Sequence, residues 1–163
     1  MKYNFNQPNL DATDLKILKI LQEDGRLSNS ELAERVSLSP SPCWKRLKRL
    51  EESGIIQHYQ AVLNRQALGL GVVAFVSILL ENHTEATCKH FETCVAAMPE
   101  IVSCHNIAGQ HDYLLHILAA DLESYSAFAL NHLRTLPGVK EMHTSFSLKE
   151  VKTSSKLPLF FAD

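Results

Sequence analysis

Residues 28–54 constrain this chain more than any other stretch, because they spell two short helices held apart by a tight turn. Ser28 with Glu31 three residues later is a capping box that opens the first helix, and Leu32 and Val36 share one apolar face. Ser39 stands as the cap of the second helix, with Pro40 at its first position, where a missing N–H costs nothing. Within that helix Cys43, Leu47 and Leu50 recur at i, i+4 and i+7 and must face inward. Pro42, Trp44, Lys45, Lys48 and Arg49 then point outward, with Arg46 at the border. Gly54 ends the helix, and the alternation over residues 55–59 predicts the strand of a wing. A basic second helix with a small polar start, Ser39 and Ser41, has the shape and charge to enter the major groove of double-stranded DNA. The competing reading is a solvated basic face on an ordinary helical hairpin. Four cations within residues 45–49, placed on the second helix of such a pair, favour DNA.

The formal net charge of −2 contradicts that reading only until the chain is divided. Residues 1–65 hold ten Lys/Arg against eight Asp/Glu, or +2; residues 66–163 hold six against ten, or −4. The basic character is thus confined to the N-terminal part, as expected of a DNA-binding head on a body with another task. No basic-then-apolar signal opens the chain, and its longest apolar run, residues 72–80, is broken by Ser77 and too short to span a bilayer. We expect a soluble, cytoplasmic protein without membrane partners. Cys43, Cys88, Cys94 and Cys104 are scattered, with no Cys-x-x-Cys pair, and read as free thiols. Cys88, His90 and Cys94 lack the second pair that a structural zinc site requires, so no metal is expected. There is no phosphate-binding glycine loop, no nucleophile elbow and no His-Glu-x-x-His helix, hence no catalytic residues and no cofactor.

Leu10-Asp11-Ala12-Thr13-Asp14 opens a first helix, capped by Asp11 with Asp14 at the third position; Leu15, Leu18 and Leu21 mark its stripe, with Ile17 and Ile20 beside it. With the following pair, residues 1–60 make a winged helix-turn-helix, and residues 61–70 a linker. The rhythm then changes. Strands are predicted over 72–80, 101–108, 112–120 and 139–151, and helices over 84–98 and 121–136. The order β-α-β-β-α-β is the ferredoxin-like arrangement, assigned to residues 71–156; the whole is an α+β chain with a C-terminal tail at 157–163. Its helices cover one sheet face only. A second copy stacked on the other face is the simple cover, which predicts a dimer.

The chain resembles the Lrp/AsnC (leucine-responsive regulatory protein, or feast/famine) family almost end to end. The matching segments are Leu10-Asp11 with Asp14 and Ile17-Leu18, Asp24-Gly25-Arg26, and residues 38–43, 46–51 and 54–56 in the head. In the body they are Gly109-Gln110-His111-Asp112-Tyr113 and Leu136-Pro137-Gly138-Val139. The resemblance implies an amino-acid-responsive, nucleoid-associated transcriptional regulator that is not an enzyme and forms dimers, often octamers of four dimers. It implies DNA contact through Ser39, Ser41, Pro42, Trp44, Lys45, Arg46, Lys48 and Arg49, with Lys45, Lys48 and Arg49 on phosphates. For the effector it implies the turn at Gly109, Gln110 and Asp112, with His105 and Asn106 beside it. Backbone N–H groups of the turn suit a carboxylate and Asp112 an ammonium; Arg134, from another subunit, is the alternative carboxylate partner. On the residues alone, Gly109 as a plain hairpin residue and Asp112 as a strand cap is the favoured reading; the resemblance reverses that order. Leucine or methionine fits best as the free amino acid. A nucleoid-like architectural protein with no ligand response is the alternative.

Overall fold

Two carboxylates decide where the first helix begins. In the computed structural model, which describes residues 10–159, the Asp11 side chain accepts the backbone N–H groups of Thr13 and Asp14, both at 2.9 Å. Asp14 accepts the Asp11 N–H in return at 3.1 Å, which completes the capping box that starts α1 (Ala12–Glu23). The predicted box at Ser28 and Glu31 likewise opens α2 (Asn29–Arg35). A Schellman turn closes α2: Leu38 N–H reaches the Ala33 carbonyl and Ser37 N–H the Glu34 carbonyl, with Ser37 left-handed at φ 59°. Serine there hides the turn from a search for glycine. Helix α3 (Pro40–Glu52) starts after Ser39 as expected, but the Ser39 hydroxyl makes no cap hydrogen bond.

Ile17, Leu18, Leu32, Ala33, Val36, Cys43 and Leu50 form the core of this first unit. Ile17 and Leu18 lie deepest on α1, whereas Leu15, placed on the stripe by sequence, is only half-buried. No strand forms over residues 55–59, which corrects the predicted wing strand. Ile55 and Ile56 pack beneath the helices instead, and the Tyr59 hydroxyl returns to α3 by donating to Glu51 at 2.9 Å. The C-terminal segment from Thr153 belongs to this same unit, although the sequence divided it between the second domain and a tail. There Gln22 donates to the Leu157 carbonyl and accepts its N–H, and Leu159 joins the core. Assignments made for residues 1–9 and 160–163 lie outside the described residues.

The second unit (Leu63–Lys152) is a four-stranded antiparallel sheet in the order β2-β3-β1-β4. Its strands are β1 (Val72–Leu80), β2 (Ile101–Asn106), β3 (Tyr113–Ala119) and β4 (Val139–Phe146). Helices α4 (Glu85–Ala96) and α5 (Leu122–Asn131) pack on one face, over Ala74, Val76, Ile78, Leu80, Tyr113, Leu115 and Ile117. Strand β1 spans the predicted residues, and the other three strands end earlier than predicted. Strand β4 stops at Phe146, opposite Ala74, because its partner β1 begins only at Val72. Helix α5 stops at Asn131, and one 3-10 turn (Leu133–Thr135) replaces its predicted last turn. Gly138 then has φ 71°, and a Cβ on it would come within 2.5 Å of the Thr87 methyl, so both backbone and space demand glycine.

The other sheet face carries Phe75 and Leu79 of β1, Leu114, His116 and Leu118 of β3, His105 of β2 and His143 of β4, as the pairing register dictates. Phe75 is 39% exposed and its ring stacks on His116 at 5.0 Å. No helix of the described residues is long and apolar enough to cross a membrane.

Candidate functional site

Helix α3 presents its outward face as the spacing predicts. Ser39, Ser41, Pro42, Trp44, Lys45, Lys48 and Arg49 are exposed and Arg46 is half-buried. Trp44 is 50% exposed, and the Lys48 ammonium lies 5.0 Å from its ring centroid, a cation–π contact that steadies both side chains. Lys48 also stands 3.8 Å from Glu52 one turn on. Lys45 takes part in no ion pair among the described residues and sits almost opposite the buried Cys43 and Leu50 and the half-buried Leu47. The start of α3 is held to α2 by Asn29, whose amide donates to the Pro40 carbonyl at 2.9 Å.

The other two cations are engaged within the chain. Arg46 donates to Asp11 at 2.5 Å and to Asp14 at 2.9 Å, and Arg49 donates to the second Asp14 oxygen at 2.5 Å. Hydrogen bonds from the Asp14 backbone and then from Arg46 hold the Asp11 carboxyl below its ordinary pKa, while Asp11 and Asp14 push the Arg46 guanidinium up. Sequence reasoning saw Asp14 only as a capping residue. The missed signal is its register: Asp14 shares the apolar stripe of Ile17, Leu18 and Leu21, and a carboxylate on a buried stripe must find cations on another element.

In the second unit the turn between β2 and β3 leaves Gly109 and Gln110 exposed, and no atom stands within 4 Å of a Cβ built on Gly109. Asp112 is more occupied than the sequence suggested. One carboxylate oxygen accepts the Leu80 N–H at 2.8 Å and the other meets His83 Nε2 at 2.8 Å. The Leu80 hydrogen bond, followed by His83, holds its pKa below the ordinary value against the opposing effect of burial. The side chain therefore ties the β2–β3 turn to the end of β1, which is the strand-cap role.

Asn106 and His105 are neighbours in sequence but not in surroundings. His105 lies on the helix-free face opposite Leu114, whereas Asn106 pairs with Tyr113 and lines a concavity of about 220 Å³ with Glu92, Val95 and Cys104. There the Tyr113 hydroxyl donates to Glu92 at 2.8 Å, and burial pushes both the Tyr113 and Cys104 pKa values upward. Arg134 lines a separate hollow with Val139, Lys140 and Met142, beside β4. Strand order puts β2 and β4 at opposite edges of the sheet, three strand spacings or roughly 14 Å apart. One chain gathers Asn106, Gly109, Gln110 and Asp112 along one hairpin, whose turn also reaches β1 through Asp112 on Leu80 and β4 through His111, with its ring 5.2 Å from that of His143; Arg134 makes no ion pair with Asp112 among the described residues. Cys43, Cys88, Cys94 and Cys104 are free thiols, and no three His, Cys, Asp or Glu side chains converge on a metal-sized point among the described residues.

Against known proteins, residues 10–57 match the model of the winged helix-turn-helix DNA-binding family, and residues 73–157 match that of the Lrp/AsnC ligand binding domain. The leucine-responsive regulatory protein of Escherichia coli K12 is 42% identical over 148 residues, covering 91% of this chain and 90% of that one. The DNA-binding transcriptional activator DecR of the same organism is 39% identical over 150 residues, covering 92% and 99%. Among solved structures, the transcriptional regulator NMB0573 of Neisseria meningitidis, crystallised as an L-Met complex, superposes with a TM-score of 0.88 at 44% identity, covering 92% of this chain and 97% of that one.

Proposed function

The chain belongs to the Lrp/AsnC family of transcriptional regulators, which are not enzymes, and from that premise we propose how it meets DNA and what it senses. Helix α3 enters the major groove, with Ser41, Pro42 and Trp44 near its start reading base edges and methyl groups while Lys45 and Lys48 meet phosphates. The exposed face of α3, where Trp44, Lys45 and Lys48 stand together, is the observation that carries this reading.

The effector is a free amino acid with an aliphatic or thioether side chain, methionine or leucine. A regulator 44% identical to this chain forms a complex with L-Met. The carboxylate meets the backbone N–H groups of the exposed Gly109 and Gln110, and the ammonium meets Asp112, displacing His83 from its oxygen. Arg134, supplied by another copy, is the alternative partner for the carboxylate. Copies pair by stacking the helix-free sheet faces around Phe75, Leu114 and His116, and dimers associate further, as four dimers in an octamer. A cytoplasmic, nucleoid-associated location follows from that activity.

A thermal-shift screen of the twenty amino acids, followed by calorimetry of leucine and methionine on wild type and Asp112→Ala, tests the effector. Loss of a charge-assisted bond predicts about ten- to hundred-fold weaker binding to the variant. Equal affinities would move the site, and no heat with any amino acid would favour an architectural protein without ligand response. Light scattering at micromolar concentration tests assembly; a particle near 18.3 kDa would remove the stacked sheets.

A further inference from the structure

Asp14 is the one charged side chain among the described residues that solvent does not reach, and all of its partners are cations or N–H donors. A buried carboxylate without compensation is expensive, so Asp14 keeps the two guanidiniums that neutralise it. With Asp11 on Arg46, the cluster holds two carboxylates and two guanidiniums and has no net charge. Both arginines come from the helix that faces DNA. Arg49 is itself 55% exposed and flanks Lys45 on the outward side of α3, so its reach toward a phosphate is limited by Asp14 and not by its position.

We propose that Asp14 is a positioning residue that sets how many cations of α3 engage DNA phosphates: with Asp11 it withholds Arg46, by itself it withholds Arg49, and the phosphates are left to Lys45 and Lys48. The consequence is selectivity. Counterion release by phosphate contacts supplies essentially all affinity for arbitrary sequences, so two withheld arginines weaken non-specific binding while the base-reading residues at the start of α3 are untouched. The proposal rests on α3 being the DNA interface, and its test separates the two ideas.

The experiment is fluorescence anisotropy of the full chain on an arbitrary 30-base-pair duplex, titrated between 50 and 200 mM KCl. Each phosphate contact contributes about 0.9 to the slope of log affinity against log salt, per head engaged. Lys45→Gln is expected to flatten the slope by about that amount, and Arg49→Gln to leave it unchanged. Asp14→Asn is expected to steepen it by about 0.9 and to raise arbitrary-sequence affinity on the order of tenfold at 0.1 M salt, as released Arg49 finds a phosphate. Adding Arg49→Gln to Asp14→Asn should restore the wild-type slope. A purely structural Asp14 would weaken binding without steepening anything. If Arg49→Gln flattens the slope as Lys45→Gln does, Arg49 is already a phosphate ligand and the proposal falls, whether or not Asp14→Asn folds. A folded Asp14→Asn with an unchanged or shallower slope overturns it as well. If Lys45→Gln and Lys48→Gln are both without effect, the interface itself is wrong and the proposal falls with it.

Discussion

The two units solve the problem of a charged site in opposite ways. In the head, the candidate DNA-facing groups stand on one helix of thirteen residues, and the buried counter-charge behind them comes from the start of α1. In the body, the candidate effector groups are dispersed over β2, the following turn and the segment before β4. A site carried on one helix is complete within one chain. In the proposed reading the effector site is completed by Arg134 of another copy, which would link ligand binding to assembly. On that proposal the groups that meet DNA belong to the single chain, and their control belongs to the assembly.

The sharpest way to break this division is to damage one unit and watch the other. Leu115 is fully buried between β3 and the helices, and Leu115→Ala is expected to destabilise the second unit by about 2–5 kcal/mol. Urea titrations followed by Trp44 fluorescence, a reporter in the first unit, should then hold their midpoint while far-UV circular dichroism shows an earlier transition. A shift of both probes together would make the two units one cooperative block. A smaller effect is expected from Arg46→Ala in the head. It removes two charge-assisted hydrogen bonds but leaves Asp14 with Arg49, so the loss should be about 1.5–3 kcal/mol, seen this time in the Trp44 transition.

How much of this was legible in the sequence follows the same division. The capping boxes at Asp11 and Ser28, the inward row Cys43 and Leu50, and the β-α-β-β-α-β order are local patterns, and they fold as read. What escaped depends on contacts between distant elements. The wing strand at 55–59 failed because Ile55 and Ile56 found burial under the helices before any strand partner. The end of β4 was set by where β1 begins, and the occupation of Asp112 by an N–H from Leu80, thirty-two residues earlier. Pairing of Asp14 with Arg46 and Arg49 spans a similar separation, so two of the four cations counted in sequence are held by α1 in three dimensions. The segment around Leu157 had no pattern at all, because its partners on α1 are polar side chains binding its backbone.

Asp112 offers a test of the body through acid. Its folded carboxyl has a pKa below the ordinary 3.8, mainly from the Leu80 N–H and then from His83. A lowered folded pKa means stability that is present above the ordinary value and lost as pH falls through the folded one. Asp112→Asn should therefore melt below wild type at pH 7, and the gap should narrow once pH falls below 3.8. A gap that does not narrow at all below that pH would show that the side chain acts through packing and not through its charge.

The smallest expected effect lies on the helix-free face, at His116. Burial there holds the imidazole pKa below its ordinary 6.5, with Glu150 raising it and Arg65 lowering it. The unfolded chain then takes up its proton first as pH falls through about 6.5. Folding loses stability from that point until the folded pKa is passed, below which the loss is constant. The direction is opposite to that of a histidine gaining an acidic partner. His116→Phe keeps a ring to stack on Phe75 and removes the titration, so its melting temperature should fall less than that of wild type between pH 7.5 and pH 5.5. Dilution sharpens the comparison. Stacked sheet faces would shield His116 further and enlarge the acid loss at high protein concentration, whereas the head, with its charges paired inside one chain, should show no such dependence. An acid loss identical in wild type and His116→Phe at every concentration would place the titrating group elsewhere, and would remove the reason to expect acid to act on the body through this face.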